Sequence, residues 1–125
     1  MHFEPTVLVV EDDDAIRHGT AMRLNFNGYK VLTANDGEQG TQLAGQHFPD
    51  LILMDIRMPR MDGLTALSLL QQDPRTKDIP VIMISASPGD QEKSLECGAK
   101  FFLTKPVPNG SMMAAIESAL SVPQI

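Results

Sequence analysis

The stretch Leu51-Ile52-Leu53-Met54-Asp55, followed by Ile56-Arg57-Met58-Pro59-Arg60-Met61-Asp62-Gly63, is a short apolar run closed by a carboxylate and then a loop. A run of this length, apolar at every position, suits a strand covered on both faces. A carboxylate at the end of such a strand is held rigid while its oxygens face solvent, so Asp55 reads as part of a site rather than of the packing. The pattern recurs on either side of it. Val7-Leu8-Val9-Val10 ends in Glu11, Asp12, Asp13 and Asp14, Val81-Ile82-Met83-Ile84 ends in Ser85, and Phe101-Phe102-Leu103 is followed by Lys105-Pro106. Strand ends therefore deliver acid, acid, hydroxyl and amine.

Short apolar runs alternate with longer mixed segments, the signature of βαβ units. Strands are expected at 6–10, 30–34, 50–55, 80–84 and 101–104, and helices at 14–27, 37–46, 63–72, 89–97 and 109–121. This is an α/β fold, a doubly wound five-stranded parallel sheet of (βα)5 type, for which the flavodoxin-like order 2-1-3-4-5 is the leading topology. The more mixed Lys30-Val31-Leu32-Thr33-Ala34 reads as an edge. Asp13 or Asp14 can cap the first helix, Gly28 can end it, and Asp62-Gly63 precedes the third. Gly19 falls inside the first helix, at a cost of about 1 kcal/mol against alanine. That helix is expected to rely on the packing of Ile16, Leu24 and Phe26. With strands one and three adjacent at the switch point, Glu11, Asp12 and Asp55 converge beyond the carboxyl ends of the sheet.

The 125 residues suit one domain with a single substantial core. Sixteen acidic against ten basic residues give a net charge of −6, which with no basic patch argues against direct nucleic-acid or anionic-lipid binding. Every apolar stretch is far shorter than the ~20 residues needed to span a bilayer. Met1-His2-Phe3-Glu4-Pro5 has neither a basic start nor a secretory core, so the cytoplasm is the expected compartment. The single cysteine, Cys97, excludes an internal disulfide and reads as a small hydrophobe beside Gly98.

Two carboxylates about 4 Å apart repel by roughly 4 kcal/mol at an effective dielectric of 20, so an acidic trio calls for a cation. Oxygen donors with room for water suit Mg²⁺ better than an all-protein Ca²⁺ cage. Three carboxylates, one Mg²⁺ and Lys105 sum to zero charge, leaving no net repulsion for an incoming phosphoryl group. Helix capping accounts for Asp14 better than for Glu11 and Asp12. Taken singly, Lys105 reads as a solvated amine and Ser85 as a strand-end hydroxyl; their joint occurrence with Asp55 is what points to chemistry.

Val7–Asp13, Leu51–Gly63, Val81–Ala86 and Gly98–Pro106 together resemble the response-regulator receiver domain, typified by the chemotaxis receiver, over nearly the whole chain. The resemblance implies a phosphoacceptor signalling domain of a two-component phosphorelay rather than an enzyme with turnover, its chemistry limited to self-phosphorylation from a donor and slow autodephosphorylation. It implies Asp55 as phosphoacceptor, with Glu11, Asp12, Asp55 and the backbone carbonyl of Arg57 holding Mg²⁺, for which Mn²⁺ can substitute. Ser85 and the Ala86 backbone amide would hydrogen-bond phosphoryl oxygens, and Lys105 would pair with the acyl phosphate. Ser85 and Phe102 would form the switch, Phe102 filling space that Ser85 vacates. The donor would be a phosphohistidine on a sensor kinase or histidine phosphotransfer protein, and the output an unidentified downstream protein. No output domain is in view, whether the domain stands alone or is cut from a larger protein.

The chain departs from the family pattern in places. Ser85 to Gly98 spans thirteen positions, fewer than most receivers show, and Pro88-Gly89 falls where the fourth helix should begin. A short or displaced helix is expected there. Gly19 and Thr20 stand where leucines are frequent, and Val107 where phenylalanine is. Arg57 and Ser87 occupy positions that tune phosphoryl lifetime in this family, while Arg60 reads as a solvated loop charge. A hydrolase with an aspartate nucleophile would need a second acid at position 57, and a flavin or nucleotide module would need a glycine- or hydroxyl-rich loop where this chain has four acids. An interaction-only receiver is opposed by the intact set of Glu11, Asp12, Asp55, Ser85 and Lys105.

Overall fold

The computed structural model describes residues 4–121, so Met1-His2-Phe3, read above for an export signal, lies outside the described residues. Five strands, β1 (Thr6–Val10), β2 (Lys30–Ala34), β3 (Leu51–Asp55), β4 (Val81–Ser85) and β5 (Phe101–Thr104), alternate with five helices, α1 (Asp14–Phe26), α2 (Gly37–His47), α3 (Gly63–Gln72), α4 (Gln91–Glu96) and α5 (Asn109–Leu120). The strands form one parallel sheet in the order β2-β1-β3-β4-β5, as the sequence implied, with Lys30–Ala34 at an edge. Apart from Thr6, every residue of the central strands is buried, because helices cover both faces.

Alternation along each strand splits the core in two. Leu8, Val10, Ile52, Met54 and Met83 pack with Ala44, Ala66, Leu67 and Leu70 of α2 and α3. Val7, Val9, Leu51, Leu53, Ile82 and Ile84 pack on the opposite face with Leu24, Met112 and Ile116 of α1 and α5.

Helix starts are set by short acids. Asp13 caps α1 by accepting from the Ile16 amide at 2.9 Å, Asp36 caps α2 through Gln39, and Asp62 caps α3 through Thr65. Gly28 and Gly98 take φ values of 92° and 108° just beyond α1 and α4, conformations that side chains resist. The strand expected from 50 begins at Leu51, and Asp50 just before it bonds Thr6 twice, its amide donating to the Thr6 carbonyl and its carboxylate accepting the Thr6 amide, each at 2.8 Å.

The first helix packs differently from expectation. Leu24 is fully buried and Thr20 nearly so, but Phe26 is 91% and Ile16 44% exposed. Phe26 lies two positions, more than half a turn, away from the inward stripe of Leu24. The fourth helix is short as expected: a 3₁₀ turn at Pro88–Asp90 leads into only six α-helical residues.

Candidate functional site

The carboxyl ends of β1 and β3 are adjacent, with Val10 paired in register to Met54, so the residues that follow Val10 and Met54 meet at one rim. Carboxylate oxygens of Glu11, Asp12 and Asp55 lie within 4.8 Å of one another. Glu11 and Asp55 are buried to 5% exposure, whereas Asp12 is exposed. Lys105 reaches across from the end of β5, its Nζ 3.0 Å from Glu11 Oε1 and 3.0 Å from Asp55 Oδ1. Glu11 is fixed further by the Asp13 amide, which donates to Oε2 at 3.2 Å, and Arg17 donates to the Glu11 carbonyl at 2.9 Å.

Burial pushes the Glu11 carboxyl up from its ordinary range, and the hydrogen bond and charge of Lys105 offset that only in part. Asp55 is likewise raised by burial, against the pull of Lys105 and with the added repulsion of Asp12. For Lys105 burial acts downward, but its bonds to Glu11 and Asp55 outweigh it and hold the amine above its usual value. Three carboxylates face one ammonium, which leaves an excess of two negative charges at the rim. All the donors are hard oxygens, one of them solvent-facing, and that set fits a hydrated divalent cation.

Ser85, at the end of β4, is fully buried. Its Oγ donates to Asp90 Oδ2 at 2.7 Å and accepts from the Ser87 amide at 3.0 Å. Ala86 lines the cleft beside Asp55 and Lys105. Arg57 follows Asp55 into the loop, and its guanidinium turns to Asp90, with Nη2 2.9 Å from both carboxylate oxygens. Phe102 sits half-buried in register with Met83, on the same side of the sheet as Ser85, against the α2/α3 core cluster. The structure thus brings Glu11, Asp12, Asp55 and Lys105 together, puts Ser85 and Ala86 at the neighbouring strand end, and places Phe102 farther down the sheet.

Two residues with direct contacts escaped the sequence. Asp90 is the acid that holds Ser85 and Arg57; an acidic residue five positions beyond the strand-end hydroxyl was the available signal. Asp36 pairs with Arg60 at 2.9 Å, so Arg60 is not a free loop charge. A cleft of about 550 Å³ runs from the rim between α1 and α5, walled by Val9, Ile16, Thr20, Leu53, Val107 and Met112. Thr20 and Val107, the small residues noted in the sequence, are among its walls, and Ile16 is half exposed because it faces this opening.

A sequence model described as the response regulator receiver domain matches residues 7–117. The chain is 40% identical over 118 residues to the DNA-binding dual master transcriptional regulator RpaA of Synechocystis, an alignment covering 93% of this chain and 49% of that protein. It spans between a quarter and about half of the length of the curated relatives it matches. The chemotaxis protein CheY4 of Vibrio cholerae superposes with a TM-score of 0.88 at 28% identity, over 94% of this chain and 100% of that one. The receiver domain of a sensor histidine kinase from Pseudomonas aeruginosa, solved with a magnesium ion coordinated in its active-site cleft, superposes with a TM-score of 0.87 at 28% identity, over 94% of this chain and 98% of that one.

Proposed function

The chain belongs to the response regulator receiver domain family of two-component signalling, and on that premise we propose that Asp55 is the residue that receives the phosphoryl group. What supports it most is the Lys105 ammonium, 3.0 Å from a carboxylate oxygen that is buried yet borders an open cleft. An Asp55 oxygen attacks the phosphorus of a phosphohistidine, the P–N bond breaks with its electron pair leaving on the imidazole, and an acyl phosphate forms. Lys105 keeps Asp55 aimed and ionised, then pairs with the new phosphoryl oxygens. Ser85 and the Ala86 amide are the donors for the remaining oxygens. Glu11, Asp12, Asp55 and the Arg57 carbonyl would hold a Mg²⁺ ion, which would supply positive charge to offset that of the transferred group.

The donor is a histidine kinase or phosphotransfer protein, or a small acyl phosphate in its place. The readout is a conformational bias, carried by Ser85 and Phe102, toward a downstream partner. We take the chain to act as one phosphoacceptor domain in the cytoplasm; no helix among the described residues is long and apolar enough to cross a membrane. Position 57 offers no general acid, and its guanidinium is engaged by Asp90, which favours slow loss of the phosphoryl group over turnover. Incubation with acetyl phosphate and Mg²⁺ should label the protein with one phosphoryl group per chain and leave Asp55→Asn unlabelled. Rapid multiple turnover, or equal labelling of Asp55→Asn, would refute the assignment.

A further inference from the structure

The shortened segment after β4 joins three parts of the molecule through one residue. Asp90 accepts the Ser85 hydroxyl at 2.7 Å and the Arg57 guanidinium at 2.9 Å, with its own side chain only 16% exposed. Through its backbone it also accepts the Ser94 hydroxyl at 2.8 Å, where the 3₁₀ turn at Pro88–Asp90 passes into α4. Its carboxylate makes no cap to α4 itself. Helix capping therefore does not explain where that carboxylate points.

We propose that Asp90 is a positioning residue that competes with the phosphoryl group on Asp55 for the Ser85 hydroxyl proton and for Arg57, so that phosphorylation is coupled to release of the 88–96 segment. The proposal rests on the reading of Asp55 as acceptor. A serine hydroxyl has one proton to give. Here that proton goes to Asp90, while the Ser87 amide occupies the oxygen from the other side. The oxygens of an aspartyl phosphate only accept, so Ser85 can serve the phosphoryl group only by leaving Asp90. The bond it leaves is charge-assisted, of the stronger kind.

The same exchange holds for Arg57, whose side chain is 66% exposed and free to turn between two anions near the rim. Once phosphorylated, Asp55 presents a negatively charged group on the side from which Asp90 has lost its proton donor, and repulsion moves the acid outward. Asp90 immediately precedes α4 and accepts the Ser94 hydroxyl from it, so its departure loosens that helix. In the resting protein the competition holds back a fraction of the molecules from the phosphoryl-binding arrangement, and apparent affinity falls by that fraction.

Beryllofluoride with Mg²⁺, titrated calorimetrically into the whole chain, reads this directly. Asp90→Ala should bind it about tenfold more tightly than the wild type, equivalent to about 1.4 kcal/mol, and Asp90→Glu should return toward the wild-type value. Arg57→Gln, which leaves the backbone carbonyl in place but removes a partner that the phosphoryl group would gain, should bind more weakly than Asp90→Ala. Amide exchange across 91–96 should speed up in the wild type when beryllofluoride binds, and be fast in Asp90→Ala beforehand. Equal or weaker binding by Asp90→Ala while the wild type binds would overturn the competition. Absence of binding by the wild type would overturn the Asp55 assignment and the competition with it.

Discussion

Asp12 is the one acid of the rim trio that faces solvent, and it adds repulsion to the Asp55 carboxyl, which burial already raises. Asp12→Asn should therefore stabilise the protein in a chelator by about 1 kcal/mol, the upper end for exposed charges, or about 4 °C in melting temperature. The same change should weaken Mg²⁺ binding. Thermal melts in chelator decide: a lower melting temperature would mean that the three carboxylates are not assembled as described. These acids and Lys105 were legible in the sequence because each closes an apolar run, and parallel strands bring such ends to one rim. Asp90 and the Asp36–Arg60 pair were not. Their partners are set by the path of loops and the reach of long side chains, with Arg60 itself in the left-handed region at φ 67°, and no periodicity records either.

At the level of elements, two glycines have opposite meanings. A Cβ on Gly19 would meet nothing within 4 Å, so Gly19→Ala should gain about 1 kcal/mol, read as a raised denaturant midpoint with an unchanged slope. A Cβ on Gly63 would fall 2.3 Å from the Asp55 carbonyl oxygen and 2.9 Å from the Ile56 Cα. Backbone cannot move aside cheaply, and Gly63→Ala should lose about 1–3 kcal/mol together with the rate of phosphorylation, since α3 starts against the strand end that carries Asp55. Unchanged stability of Gly63→Ala would contradict that close approach. Most element boundaries could be read from the sequence, including the stunted α4, because Pro88, Gly89 and Gly98 punctuate it. The inward stripe of α1 is Thr20 and Leu24 rather than Ile16, Leu24 and Phe26. Ile16, Thr20 and Leu24 share a face, but only Thr20 and Leu24 are covered, since Ile16 looks into the open cleft between α1 and α5.

For the molecule as a whole, the raised carboxyls set how stability responds to pH. Folding raises Glu11 above 4.5 and Asp55 above 3.8, so the native state binds protons more tightly than the unfolded chain, and stability falls as pH climbs through the raised values. Asp36 and Asp73, depressed by hydrogen bonds from Gln39 and Arg75, act in the opposite sense and withdraw support as pH drops below 3.8. Lys105 contributes evenly until pH passes 10.5, because its amine is raised. In a chelator the melting temperature should thus decline from mildly acid toward neutral pH, and excess Mg²⁺ should remove the decline. A rising profile without metal would contradict the burial of this acid pair.

The ammonium that relieves Glu11 stands 94 residues further along the chain and arrives with the last strand. A chain in which β1 and β3 have paired but β5 has not docked holds its acids together with no lysine among them, so that pairing works against the repulsion of its own carboxylates. Refolding should accordingly quicken with ionic strength, as screening does beforehand what Lys105 does at the end. Stopped-flow refolding between low and moderate salt measures it, and a rate indifferent to salt would show that the fifth strand is in place before the acids meet.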